Sequence, residues 1–249
     1  MNIEKTRAVI LTLLPYRETS SIVKLYSEKH GLIHGIAKGI RRNNKGAVPI
    51  ERGHQIELVV YVKPNRDLHT LADIQIIDFY PSIRQNLQKS AIRDAAFELI
   101  LRSVHQNEPH PEIFESLLLY QSALELPATK ENTFSLLWKF HLGITDLLGF
   151  GIQYNTCVKC GRDILDSGGY LGIQQGGMFC KSCAATTGLN DTFLDKDTIR
   201  VLCDKEIFLN HIPYRELMRI SRIITAYCRF HLDIKQDFKT MQFLAEMEQ

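Results

Sequence analysis

No stretch of this chain has the length of unbroken apolar residues that a membrane-spanning helix needs. The opening MNIEKTRAVILTLLPYRE is interrupted by Pro15 and Arg17, so it reads as neither a signal peptide nor a membrane anchor, and the expected location is the cytoplasm. Short signatures of catalysis are also missing: there is no P-loop, dinucleotide fingerprint, HExxH or GxSxG. Gly31, Gly35 and Gly39 follow a strand-like run but lack the GxGxxG spacing. A zinc deaminase would need His-x-Glu beside its cysteines and an open metal position, and the chain has neither. Nine scattered histidines, no internal repeat and no low-complexity tract complete the negative picture, and a non-enzyme is expected.

One further absence is local. Between Glu28 and Glu51 there is no acidic residue, while Lys29, Lys38, Arg41, Arg42 and Lys45 fall there with His30 and His34. Residues 1–80 hold 12 Lys/Arg against 8 Asp/Glu, and residues 81–156 hold 6 against 8. Residues 157–190 hold 3 against 2, and residues 191–249 hold 9 against 10. The basic excess therefore belongs to the N-terminal third. Cations that are clustered rather than interleaved with acids present an unopposed surface to phosphates, which points to nucleic acid; the plainer reading is a solvated loop.

From Thr6 to Pro81 the chain runs through short β-branched stretches closed by Gly, Pro or Asn. Strands are expected over 7–14, 20–27, 32–38, 55–63 and 68–79. Five short strands with one longer connection suggest a closed OB-fold barrel, with an SH3-like barrel as the alternative. Lys24 and Tyr26 share a strand face by the period of two, as do Tyr61 and Lys63. Ring and ammonium side by side can stack bases and hold phosphates, although barrel tyrosines are ordinarily half-buried strand residues.

At Pro81 the apolar period changes from about 2 to about 3.6, marking a boundary. Ser82 and Gln85 have the spacing of a capping box. The helix they would open carries Leu87, Ile92, Ala95, Ala96, Leu99 and Ile100 on one stripe. Further helices are expected from Pro111 to before Pro127 and over 132–148, followed by 196–209 and 213–232, packed as a bundle. On the last, Leu217, Ile220, Ile224 and Tyr227 form one face. Arg215, Arg219, Arg222 and Arg229 lie within about 80° of one another on the other side. That stripe is either a solvated face or a docking surface for an acidic peptide or DNA.

Between the helices sits CVKC, then nineteen residues, then CKSC, which places Cys157, Cys160, Cys180 and Cys183 at the spacing of one tetrahedral zinc. Gly161 supplies the backbone freedom of such a turn, and Gly168-Gly169 and Gly176-Gly177 punctuate a small β-ribbon. Disulfides are the alternative; the lack of a secretory signal and the two further cysteines, Cys203 and Cys228, favour a reducing compartment. Four thiolates fill the metal shell, so the expected Zn2+ is single and structural. The resulting architecture is multidomain α+β. Residues 1–80 form the barrel, 81–156 and 191–249 the two parts of a helical domain, and 157–190 a zinc-binding insert.

The run TRAVILTLLPYRETSSIVKLYSEKHGLIHGIAKGIRR, with LADIQIIDFYP, CVKCG, GGMFCKSC and Phe238-Lys239-Thr240, resembles the RecO family of bacterial recombination and repair proteins. The resemblance implies a non-enzymatic mediator, cytoplasmic and nucleoid-associated. Such a mediator binds single- and double-stranded DNA and anneals complementary strands. It joins RecR, contacts the acidic C-terminal tail of single-stranded-DNA-binding protein, and helps load RecA. By position it implies Lys38, Arg41, Arg42 and Lys45 for DNA, to which the strand-face reading adds Lys24, and the stripe Arg215, Arg219, Arg222 and Arg229 is the candidate for the tail. A zinc-stabilised RNA-binding or regulatory module is the competing reading, since OB-folds serve both polymers.

Overall fold

The computed structural model describes residues 2–40, 49–62, 66–204 and 211–247. Its first five strands are β1 (Asn2–Tyr16), β2 (Ser20–Ser27), β3 (Gly31–Ala37), β4 (Gln55–Val62) and β5 (Leu68–Asp78). They close into a barrel in the order β1-β2-β3-β5-β4, with β3 and β5 parallel and the other pairs antiparallel. That is the OB-fold arrangement, and closure removes exposed strand edges. Alternation turns Ile10, Leu25, Ile33, Ile56, Leu58 and Leu71 inward to form the core.

β1 is longer than its apolar run suggested because it serves two neighbours. Residues 2–9 pair with β4 and residues 8–16 with β2, and the register shifts between Ile10 and Thr12. Its polar first half, NIEKT, is held by pairing rather than burial; Lys5 meets Glu57 at 2.6 Å.

The described residues form two compact units, Met1–Asn86 with Ile100–Glu125, and Leu87–Leu99 with Leu126–Gln249. In the first, the barrel carries α1 (Pro81–Gln85) and α3 (Pro111–Glu125). Tyr26 Oη donates to the carbonyl of His110 at 3.3 Å, and the Arg7 guanidinium lies over the Phe114 ring at 5.4 Å. Gly31 makes this approach possible: its φ is +64°, and a Cβ there would stand 2.1 Å from the Glu108 carbonyl oxygen.

Ser82 does not open a long helix. Pro81 is the first residue of α1, and Asn86, in extended conformation, ends it before α2 (Leu87–Ser103) begins. The α1 amides are satisfied from outside instead: Ser82 N and Ile83 N donate to the Glu125 carboxylate at 2.7 and 3.0 Å. A carboxylate on exposed N-terminal amides does what the local capping box would have done.

The second unit packs α4 (Lys130–Leu147) against α7 (Tyr214–His231), with α6 (Lys196–Cys203) and α8 (Lys239–Glu246) beside them. α4 starts two residues ahead of the expected Asn132, because Thr129 caps it and accepts from Asn132 N. Trp138 is fully buried and its indole N–H donates to Ser221 Oγ at 2.7 Å. The helix expected to reach 209 ends at Cys203, and 205–210 lie outside the described residues. α8 is anchored as α1 is: Lys239 N and Thr240 N donate to the Glu98 carboxylate at 3.0 and 2.9 Å.

Candidate metal centre and nucleic-acid interface

The first cysteine pair sits in a hairpin turn. Gly161 N donates to the Cys157 carbonyl and Cys157 N to the Arg162 carbonyl, both at 2.8 Å, with Gly161 at φ +71°. The second pair opens α5 (Lys181–Thr187), with Cys180 as its N-cap. A three-stranded sheet in the order β7-β6-β8, made of Gly177–Phe179, Gly169–Gly172 and Phe193–Leu194, connects and supports the two turns. All four Sγ atoms lie within 4.8 Å of one another, and Cys160 Sγ is 3.8 Å from Cys180 Sγ. A tetrahedral ion with metal–sulfur bonds of about 2.3 Å requires edges of about 3.8 Å, so these thiols fit a metal ion. None of the four is paired in a disulfide.

The electrostatics agree. Burial pushes the Cys157 thiol up, but amides of residues 180, 160 and 159 directed at the sulfur outweigh it and bring it down to about 6. The Cys183 amide holds Cys180 below its ordinary value, while burial and the three neighbouring sulfurs push Cys183 up to about 12. Four sulfurs this close cannot all ionise without a counter-charge, which a divalent cation provides.

Several cations on and beside the barrel are already engaged. Arg7 makes a two-pronged pair with Glu28 at 2.7 and 3.0 Å, Arg84 meets Glu51 at 2.8 Å, and Lys29 Nζ donates to the Lys5 carbonyl at 2.8 Å. Lys24 on β2, opposite His34 on β3, and exposed Lys38 after β3 make no ion pair among the described residues. Arg41, Arg42 and Lys45 lie outside the described residues, as does Lys63. Burial and the Lys24 charge keep His34 below its ordinary value, against an opposing pull from Asp67. Tyr26 is fully buried, not beside Lys24 in solvent, and burial raises its hydroxyl to about 12.

The arginine stripe divides. Arg219 pairs with Glu216 at 2.6 and 2.8 Å and donates to the Phe193 carbonyl at 2.7 Å, bracing the cysteine ribbon. Arg215 is exposed at the start of α7. Arg222 and Arg229 line a groove of about 320 Å3 between α7 and α8, floored by Ala226, Phe238 and Met241. The sequence pattern did not reveal that groove, although Phe238, Met241 and Ala245 recur at helical spacing and could have flagged a second facing helix.

The chain thus joins an OB-fold barrel to helices that carry a four-cysteine ribbon, a multidomain architecture. The family models described as Recombination protein O N terminal and Recombination protein O C terminal match residues 1–80 and 84–239, and the chain belongs to the RecO family. It is similar to the DNA repair protein RecO of Chloroherpeton thalassium, 23% identical over 262 residues covering 98% of this chain and 99% of that protein. The DNA repair protein RecO of Prosthecochloris aestuarii is 25% identical over 263 residues, covering 98% and 97%. That of Pelobacter propionicus is 30% identical over 187 residues, covering 74% and 73%. Among the described residues no helix is long and apolar enough to cross a membrane.

Proposed function

We propose that this RecO-family protein is a non-enzymatic mediator that binds single- and double-stranded DNA on its barrel and anneals complementary strands. It then helps load RecA on DNA coated by single-stranded-DNA-binding protein, working with RecR in the cytoplasm at the nucleoid. The observation that carries this reading is the barrel's division of charge. Lys5, Arg7 and Arg84 are paired with Glu57, Glu28 and Glu51, whereas Lys24 and Lys38 make no ion pair among the described residues, and in sequence Lys38 leads into the acid-free stretch containing Arg41, Arg42 and Lys45. Annealing requires the backbone of each strand to be neutralised while its bases stay free to pair, which cations that contact phosphates can do. The coating protein's acidic tail would dock at Arg222 and Arg229, where cations border an apolar floor.

Cys157, Cys160, Cys180 and Cys183 would hold one Zn2+, the ion that an all-thiolate tetrahedral shell favours along with iron–sulfur units. Its contribution is to order the ribbon between α4 and α6.

The test is a salt titration of single-stranded DNA binding. Neutralising about four phosphates gives a log–log slope of about −3, and reversing Arg41 and Arg42 together to Glu weakens binding and flattens the slope by about 1.4. A salt-independent affinity, unchanged binding in the double variant, or binding to RNA alone contradicts the reading.

A further inference from the structure

Resting on the tail-docking reading, we propose that Asp237 is a built-in stand-in for the acidic partner. It holds one arm of Arg229 until a peptide carboxylate replaces it, so that Arg222 makes the first contact. Three observations support this. The Arg229 guanidinium is shared among three acceptors at the α7–α8 turn: Nε donates to the Ile234 carbonyl at 3.3 Å, one terminal nitrogen to the Lys235 carbonyl at 3.0 Å, and the other to the Asp237 carboxylate. The first two bonds do not involve Asp237, so they keep the guanidinium in place and aimed at the groove when Asp237 leaves. A cation fixed in advance loses little freedom on binding an anion.

Asp237 is itself exposed and part of the groove wall, with its side chain 66% accessible against 30% for Arg229. An ion pair with one member this wet contributes little, so a second carboxylate can displace it. Arg222, two turns earlier on the same face of α7, is exposed, and its guanidinium has no hydrogen bond or ion pair among the described residues. Between the two arginines lies the apolar floor of Ala226, Phe238 and Met241, and the groove's volume is at the lower end of the range of ligand pockets, about 300 to 1,000 Å3. Two cations flanking an apolar slot match an acidic peptide that also carries a bulky apolar residue.

The experiment titrates the full chain against a fluorescein-labelled peptide of four aspartates followed by a C-terminal phenylalanine, read by anisotropy, with melting curves recorded for each protein. Asp237→Asn removes the competing charge while keeping a hydrogen-bonding side chain, and should bind about three- to five-fold tighter than wild type. Arg222→Ala should bind about ten-fold weaker. Asp237→Ser serves as the second variant and must move the same way. Unchanged or weaker binding by folded Asp237 variants, while wild type binds, overturns the stand-in and leaves tail docking standing. Failure of wild type and all variants to bind the peptide overturns the docking reading with it. An equal gain for an oligothymidylate marks a general loss of negative charge and also overturns the assignment.

Discussion

Acid should loosen the second unit through His141. This side chain is fully buried on α4, its Nε2 donating to the Ala95 carbonyl at 3.3 Å and its ring stacked on Phe238 at 5.9 Å. Burial pulls its pKa from 6.5 to about 4, against smaller opposing effects of the Ala95 carbonyl and the Glu98 charge. A base with a depressed folded pKa binds its proton more readily when unfolded. Its contribution is therefore complete above about 6.5 and is lost as the pH falls through about 4. Each unit of displacement corresponds to about 1.4 kcal/mol, so roughly 3 kcal/mol should disappear across that window. Trp138, the chain's single tryptophan, is buried one turn away on the same helix and reports the unfolding of this unit by fluorescence. Urea melts at successive pH values should show stability falling below about 6.5 in the wild type. In His141→Gln, which keeps a donor for Ala95, this part of the fall should be absent. An identical pH profile in the two proteins refutes the assignment to His141.

Two other perturbations follow from packing and ligation. Treatment with a chelator, or Cys180→Ser, should lower the melting temperature first and DNA affinity only as a consequence, because the ribbon supports the helical unit and the proposed DNA face is on the barrel. Loss of binding at full stability would make the ribbon a contact surface, with Lys159, Arg162 and Lys181 the residues to test next. Gly31→Ala should destabilise the barrel by several kcal/mol, since the new Cβ collides with the Glu108 carbonyl at a positive φ; a change below about 1 kcal/mol in a denaturant melt would contradict that close approach.

What could be read in advance was what repeats locally. β2 runs over Ser20–Ser27 as its alternation indicated, and the spacing of four cysteines located a cluster whose sulfurs do converge. What could not be read depends on residues distant in sequence. The first half of β1 has no apolar alternation, and only the β4 partner makes it a strand. Tyr26 shares the nominal face of Lys24, but the carbonyl of His110 on the approach to α3 draws its hydroxyl inward. Helical periodicity put four arginines on one side of α7. It could not show that Arg219 reaches the Phe193 carbonyl or that Arg229 meets Asp237 across a turn, and those contacts decide which arginines remain available. In the same way, Ser82 carried a capping signal that the Glu125 carboxylate supersedes from another helix.

The central claim, a strand-annealing mediator that recognises coated DNA, is tested most directly by mixing complementary oligonucleotides already covered with single-stranded-DNA-binding protein. The account predicts that this chain anneals them without any nucleotide cofactor, and that annealing falls when the coating protein lacks its acidic C-terminal tail or when Arg222 is changed to Ala. Absence of annealing on bare and coated strands alike contradicts the mediator reading, and annealing that is indifferent to the tail contradicts the role given to the α7–α8 groove.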